Sequence, residues 1–262
     1  MSMPKILVFD IETAPIEAYV WGLYDQNIAL NQIKQDWTIL SWAAKWYDEP
    51  ASKVIYMDNS KSKNVRDDKK LVTALRDILK EADIVITQNG KKFDIKKFNA
   101  RAVIHGLKSI RRFKSTDVME ESKKVFGFTS QSLEYTSNVL NTKYKKLKHN
   151  KFPGMELWTE ILNGNKAAWA EMKTYCIHDV LATEEKFQKI QSWIKTQNMA
   201  CYFDDAKVRC LCGSTNLIKR GPVYTDAGKF QGYECKDCGK RPHGRINLFS
   251  KEKKKCLLKD GK

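Results

Sequence analysis

Residues 5–13, KILVFDIET, decide how the rest of the chain is read. Ile6, Leu7, Val8 and Phe9 form an unbroken apolar run, short for a helix and typical of a strand buried on both faces. The run ends on Asp10 and Glu12, two positions apart. Side chains alternate along a strand, so both carboxylates project to one face at its end. By itself an Asp-x-Glu pair after a strand is ordinarily loop or cap chemistry. Its meaning depends on whether other acids reach the same place.

Downstream, strands are predicted at 38–47 and 53–57, with a turn at Glu49-Pro50 between them. Residues 67–82 carry Leu71, Leu75, Ile78 and Leu79 at helical spacing. Residues 83–87, DIVIT, read as another buried strand, and a helix follows over 94–105 with Gly106 as its stop. A strand at 111–118, helices at 119–126 and 132–140, and a lysine-rich loop at 143–151 come next. Pro153-Gly154 ends that loop, and 166–196 is dominated by helix. Strands first, a strand–helix unit next and a helical second half argue for an α/β domain. The pattern changes around 198–208. The expected organisation is a domain over 1–200 and a small basic one over 207–262.

Three further side chains can join Asp10 and Glu12. Asp94 opens a helix just after the 83–87 strand, in the phrase Asn89-Gly-Lys-Lys-Phe93-Asp94. Tyr175 and Asp179, four apart on the long helix, share one face. Hydrolysis of a phosphodiester needs a hydroxide-like nucleophile and stabilisation of developing negative charge. Two divalent ions about 3.5–4 Å apart supply both. Such hard ions take oxygen ligands, so clustered carboxylates form their natural cage. Without cations the same cluster repels itself and its pKa values rise. Each piece also has a plain reading: a turn and N-cap for Asn89 to Asp94, and a buried tyrosine with a partly exposed acid for the last pair. Their joint occurrence in this order favours the cluster.

These phrases carry a resemblance. Phe9-Asp10-Ile11-Glu12-Thr13 resembles the first motif of the DEDD exonuclease superfamily. Asn89-x3-Phe93-Asp94 resembles the second, in the form found in proofreading domains of family B DNA polymerases. Tyr175-x3-Asp179 is similar to the third motif of the tyrosine subclass, DEDDy. The likeness covers about residues 4–195. It implies a ribonuclease H-like mixed five-stranded sheet flanked by helices. It implies two Mg²⁺ or Mn²⁺ ions on Asp10, Glu12, Asp94 and Asp179, and Tyr175 orienting or helping to deprotonate the attacking water. Thr13 would face the substrate, and Asn89 would support either the site or the terminal nucleotide. The activity implied is 3′–5′ exonucleolytic cleavage of nucleic acid, expected to be DNA with a 3′ end, by a free-standing proofreading or processing enzyme. A DNA polymerase or other replication and repair proteins are the expected partners. The alternatives are a catalytically weak nucleic-acid-binding module, and an endonuclease or ribonuclease using the same acids. The histidine subclass would need a histidine at the position of Thr174, and His178 is expected to point away from Asp179.

Other residues stay open between two readings. Lys143, Lys145, Lys146 and Lys148 either grip phosphates or form a solvated loop; Lys143 and Lys146 are the candidates for substrate contact. Trp21, Tyr24, Trp37, Trp42 and Trp46 either stack bases or fill the core.

Cys210-Leu-Cys212-Gly213 and Cys235-Lys-Asp-Cys238-Gly239 resemble the two knuckles of a zinc ribbon, with Gly221-Pro222 and Ala227-Gly228 as turns. One structural Zn²⁺ on four thiolates is expected, although one residue between Cys210 and Cys212 departs from the usual two. His243 or Cys256 could substitute for one ligand.

Bulk properties agree with this picture. The formal charge is +16, and residues 207–262 hold 15 Lys/Arg against 5 Asp/Glu, which suggests a polyanionic partner. No apolar run approaches the roughly 20 residues that span a bilayer, and MSMPKILVFD lacks signal-peptide zones. A cytoplasmic, nucleoid-associated protein is expected, or one in the host cytoplasm if phage-encoded. Seven cysteines, an odd number, suit thiols and metal ligands better than disulfides.

Overall fold

The computed structural model describes residues 3–226 and 228–258. Ala227 of the second expected ribbon turn and the last four residues of the basic tail lie outside the described residues. The chain divides into two compact units, Lys5–Phe187 and a second made of Gln188–Lys262 with the first residues of the chain. The division falls earlier than the change of composition at 198–208. Segment 191–206 belongs with the cysteine-rich part: Lys240 Nζ donates to the Ile194 carbonyl at 2.8 Å, and the Met199 amide to the Leu211 carbonyl at 2.7 Å.

The larger unit runs β1 (Ile6–Thr13), β2 (Glu17–Ala18), β3 (Ile33–Gln35), β4 (Ile39–Trp46), β5 (Ile55–Asp58), α1 (Lys69–Glu81), β6 (Ile84–Thr87), α2 (Asp94–Ile104), β7 (Lys114–Asp117), α3 (Val118–Lys123), α4 (Leu133–Val139), α5 (Glu156–Leu162) and α6 (Lys166–Ile190). Five strands form a mixed sheet in the order β5-β4-β1-β6-β7. β1 is antiparallel to β4 and parallel to β6, so it lies at the centre. This is the α/β, ribonuclease H-like arrangement expected.

Alternation along β1 separates two packed faces. Leu7, Phe9 and Ile11 join Trp42, Ala44, Leu71, Leu75, Leu79 and Phe98 in one cluster, which is how the helical stripe of α1 is buried. A second cluster holds Leu40, Leu157, Ile161, Trp169, Met172 and Tyr175, and so collects α5 and α6. Full burial of each large side chain contributes about 1.5–3 kcal/mol. Val8, Asp10 and Glu12 alternate with the first set. The β1–β4 register shifts between Glu12 and Thr13, an irregularity that ends the regular ladder beside the second acid.

Several boundaries move. β7 starts at Lys114 rather than 111, and Asp117 leaves it to cap α3, accepting the amides of Met119 and Glu120. The hairpin β2–β3, between the first two sheet strands, has too few residues to show a period. The aromatics also sort themselves. Trp42 is core, 1% exposed, with Nε1 donating to the Leu71 carbonyl at 3.0 Å. Trp21 is wholly exposed, and Lys97 Nζ lies 3.6 Å over the Trp37 ring.

The smaller unit contains β8 (Leu217–Thr225), β9 (Gly228–Cys235), β10 (His243–Asn247) and α7 (Lys251–Lys255), with an antiparallel sheet in the order β10-β9-β8. Gly221-Pro222 is not a turn. It sits inside β8, where the pairing with β9 shifts between Arg220 and Pro222, because a proline without an amide proton is tolerated at a strand irregularity.

Replacing Trp42 tests the central packing. Trp42→Ala should cost about 3–5 kcal/mol by loss of burial and creation of a cavity. A urea unfolding midpoint indistinguishable from the parent's would show that the ring is not the core element described.

Candidate metal centre

β1 brings Asp10 and Glu12 to one face, and α6 brings Asp179 to them. One carboxylate oxygen from each lies within 4.8 Å of the others. Asp94 stands apart from that group of three. It opens α2, is 3% exposed, and its Oδ1 accepts the Ile11 amide at 3.0 Å. That bond joins it to the strand residue lying between the two β1 acids.

The aim of Asp94 depends on a residue outside every motif. Asp117, buried at the end of β7, accepts the amides of Asn89 at 3.0 Å and Lys91 at 3.1 Å on one side. On the other it caps α3 through Met119 and Glu120, both at 3.1 Å. Asn89 has φ +69°, and its carbonyl accepts the amides of Lys92 and Phe93. The structure therefore gives Asn89 a part in the turn leading into α2. Gly90 is needed in that turn because an added Cβ would lie 2.5 Å from the Thr87 side chain. The only sign of Asp117 in the sequence is its place between a strand and a helix.

Electrostatics follow from crowding. Burial raises the Asp10 pKa well above the usual carboxylate range, and the charges of Asp94, Glu12 and Asp179 raise it further. Glu12 is pushed up to about 8, chiefly by burial and then by Asp179. Asp94 reaches about 7, again through burial, against the lowering effect of the Ile11 amide. Asp179 is raised by burial and drawn back by Lys146.

Lys146 is the lysine of the loop that the structure brings to the acids. Its Nζ lies 2.6 Å from Asp179 Oδ2 and 4.4 Å from the centre of the Tyr175 ring. Burial alone would lower its pKa, but Asp179 and Tyr175 outweigh burial and the net shift is upward. Lys143 goes elsewhere, its Nζ 5.1 Å over the Tyr144 ring. Thr13 ends β1, half-buried, next to Glu12.

Tyr175 lies one turn before Asp179 on α6 and is 7% exposed. His149 meets its ring edge-on at 5.6 Å and Trp158 at 5.4 Å. Burial, then Asp179 and Glu12, raise the phenol pKa, so the hydroxyl keeps its proton at neutral pH. His178 stacks edge-on against Tyr144 instead.

The donor set fits divalent cations on a specific observation. Asp179 Oδ1 is buried and has no hydrogen-bond partner among the described residues. Three acids share a space in which burial raises each pKa and neighbouring carboxylates add to the shifts of Asp10 and Glu12. A cation there would satisfy the free oxygen and offset the repulsion.

The four cysteines also converge. One Sγ from each of Cys210, Cys212, Cys235 and Cys238 lies within 4.8 Å of the rest. Cys210 and Cys238 are 3.5 Å apart, and Cys212 and Cys235 3.7 Å. Four thiolates at the usual metal–sulfur length on a tetrahedron stand about 3.8 Å apart. Gly213 (φ +87°) and Gly239 (φ +73°) make the turns after each pair in the left-handed region that glycine favours. The single residue between Cys210 and Cys212 does not keep both sulfurs from the cluster. His243 lies outside it and is turned to the Gly244 carbonyl and the Phe230 ring. Cys256 is exposed and outside the group as well.

A mixed five-stranded sheet, with acids on its central strand met by one from the closing helix, defines a ribonuclease H-like α/β protein. The family model of the RNase H superfamily matches residues 7–191, and the chain belongs to that superfamily. The cysteine cluster of the smaller unit fits a zinc ribbon. No curated protein matches the chain. Among solved structures, it is similar to the family B DNA polymerase from the hyperthermophilic archaeon Pyrobaculum calidifontis, at 14% identity and a TM-score of 0.49. That match covers 72% of this chain and 25% of the polymerase, so the chain spans about a quarter of its length.

The raised carboxylates make a pH prediction. Glu12 titrates at about 8 in the folded chain and at about 4.3 when unfolded. Between these values the folded state holds a proton that the unfolded state has lost, so stability falls as pH rises through the window and levels off above it. Without divalent ions the melting temperature should fall from about pH 5 to 8. Asp10→Asn/Glu12→Gln should remove most of that fall. Equal slopes for parent and variant would mean that the acids are not crowded as described.

Proposed function

We propose that the chain is a divalent-metal-dependent 3′–5′ exonuclease of the tyrosine (DEDDy) subclass, acting on DNA. The observation that carries this reading is the convergence of Asp10, Glu12 and Asp179, with Tyr175 one helical turn before Asp179. Membership of the RNase H superfamily supports it. The 3′–5′ direction comes from the resemblance of the three motifs.

Asp10, Glu12 and Asp179 would hold Mg²⁺ or Mn²⁺, with Asp94 completing a two-ion cage. Ions bound there supply a hydroxide-like nucleophile and stabilise charge on the leaving oxygen. Tyr175 would orient the attacking water or help to deprotonate it. Lys146 neutralises Asp179 and lies where its charge can also meet a phosphate. Thr13 and Asn89 stay as substrate-side candidates, and Lys143 is a weaker one because its ammonium faces Tyr144.

The four cysteines would hold one Zn²⁺. A closed set of four sulfurs leaves no position for water, so this ion would staple a unit too small to build a sufficient core. The expected setting is the cytoplasm, at DNA, with a polymerase or replication and repair proteins as partners in trans.

End-labelled single-stranded DNA, duplex DNA and RNA, incubated with Mg²⁺ or Mn²⁺, test the reading. Progressive shortening from the 3′ end is expected, and Asp10→Ala or Asp179→Ala should abolish it with the fold retained. Tyr175→Phe should slow cleavage by about 10²–10⁴-fold. Internal cuts would replace the proposal with an endonuclease, shortening confined to RNA with a ribonuclease, and binding without cleavage with a binding module.

A further inference from the structure

The smaller unit carries a cleft that plays no part in the metal chemistry above. It encloses about 560 Å³ and is lined from three directions: segment 198–211, Leu217 of β8 with the middle of β9, and residues 242–248 around β10. That volume falls within the range of about 300–1,000 Å³ typical of sites that enclose small organic groups. Half-buried Leu211, Leu217 and Tyr233 give it an apolar and aromatic surface.

Its charge is one-sided. Lys207, Arg209 and Arg245 line it, and no Asp or Glu does. Arg209 is committed already: its guanidinium pairs with Asp205 at 2.6 Å and lies 3.9 Å over the Phe203 ring. Lys207 and Arg245 are exposed and form no ion pair among the described residues. The surrounding residues 207–262 hold 15 Lys/Arg against 5 Asp/Glu. Asp205 accepts the Lys207 amide and lies near that charge, but its carboxylate is paired with Arg209. Two exposed cations without an ion pair beside an apolar, aromatic lining match a ligand that alternates fixed negative charge with planar apolar groups.

We propose that this cleft is a second nucleic-acid site, taking single-stranded nucleic acid with phosphates against Lys207 and Arg245 and a base against Tyr233. It rests on the nucleic-acid reading above but not on the metal centre. The recognition is of backbone charge and ring faces, so it is sequence-tolerant. A protein segment is the less favoured occupant, because only a strongly acidic one would meet this charge.

The test is fluorescence anisotropy of a dye-labelled oligothymidylate of about 20 nucleotides, long enough for several phosphate contacts, with the full-length chain. No divalent ion is added, so cleavage does not intervene, and salt is varied from about 50 to 200 mM. Lys207→Gln/Arg245→Gln should weaken binding at least fivefold. It should also lower the slope of log affinity against log salt by about 1.4, since each phosphate contact on a single strand contributes about 0.7. Each single variant should give half the change in slope, which keeps the result readable if the double variant fails to fold. Lys251→Gln/Lys254→Gln, on α7, removes the same charge from residues that do not line the cleft and should change the slope less. Unchanged binding in the cleft variants overturns the proposal, as it would if a protein segment were the true occupant. An equal loss in the α7 control also overturns it, by reducing the effect to general surface charge. The two readings separate cleanly. Cleavage with unaltered binding removes the cleft alone, whereas a lost slope in a protein that cuts nothing removes the exonuclease alone.

Discussion

Repulsion among crowded carboxylates, two half-buried and one buried, is the constraint around which the larger unit is built. Asp10, Glu12 and Asp179 crowd one space and Asp94 adds its charge from the neighbouring helix. Like charges so placed would part if the chain allowed it. They are held because β1 is the central strand of its sheet, α6 packs against the same face, and Asp94 is tied to the backbone of Ile11. The apolar faces of β1 and the acids at its end are thus one design. Leu7, Phe9 and Ile11 supply the burial that forces their alternating neighbours to face α6.

Compensation is local and incomplete. Lys146 neutralises one oxygen of Asp179, while the other is left without a partner among the described residues. A buried acceptor of this kind is costly in a finished fold, and its retention argues for a ligand rather than for stability. The cysteine cluster follows the same logic with softer donors. Cys212 is pulled down to about 5, chiefly by its hydrogen bond with Cys210, whereas Cys238 is pushed up to about 12 by burial first of all. Four thiols brought this close suit a shared cation, whose binding would draw off their protons.

Where periodicity and burial coincide, the residues could be read directly. The run ending at Phe9, the stripe of Leu71, Leu75 and Leu79, and the DIVIT strand each report a local pattern that the fold uses unchanged. The acids were legible for the same reason, since each sits at the end of a regular element. What stayed hidden depends on partners far along the chain. Gly221-Pro222 looks like a turn until β9 is laid beside it and absorbs the irregularity. Of two lysines three positions apart, only Lys146 reaches Asp179, and loop spacing cannot foretell which. Nor does composition reveal that segment 191–206 joins the cysteine-rich unit, because its anchors are a carbonyl and an amide.

Asp117 shows how far such dependence extends. One carboxylate gathers four backbone amides, two from the approach to α2 and two from the start of α3. It hydrogen-bonds none of the acids, although its charge helps to raise the Asp94 pKa, and the loop that delivers Asp94 leans on it. A lesion there would leave every recognisable signature intact while loosening the delivery of one of them. Homologues sorted into active and inactive by their signatures alone would then be misfiled, and residue 117 is the place to look first.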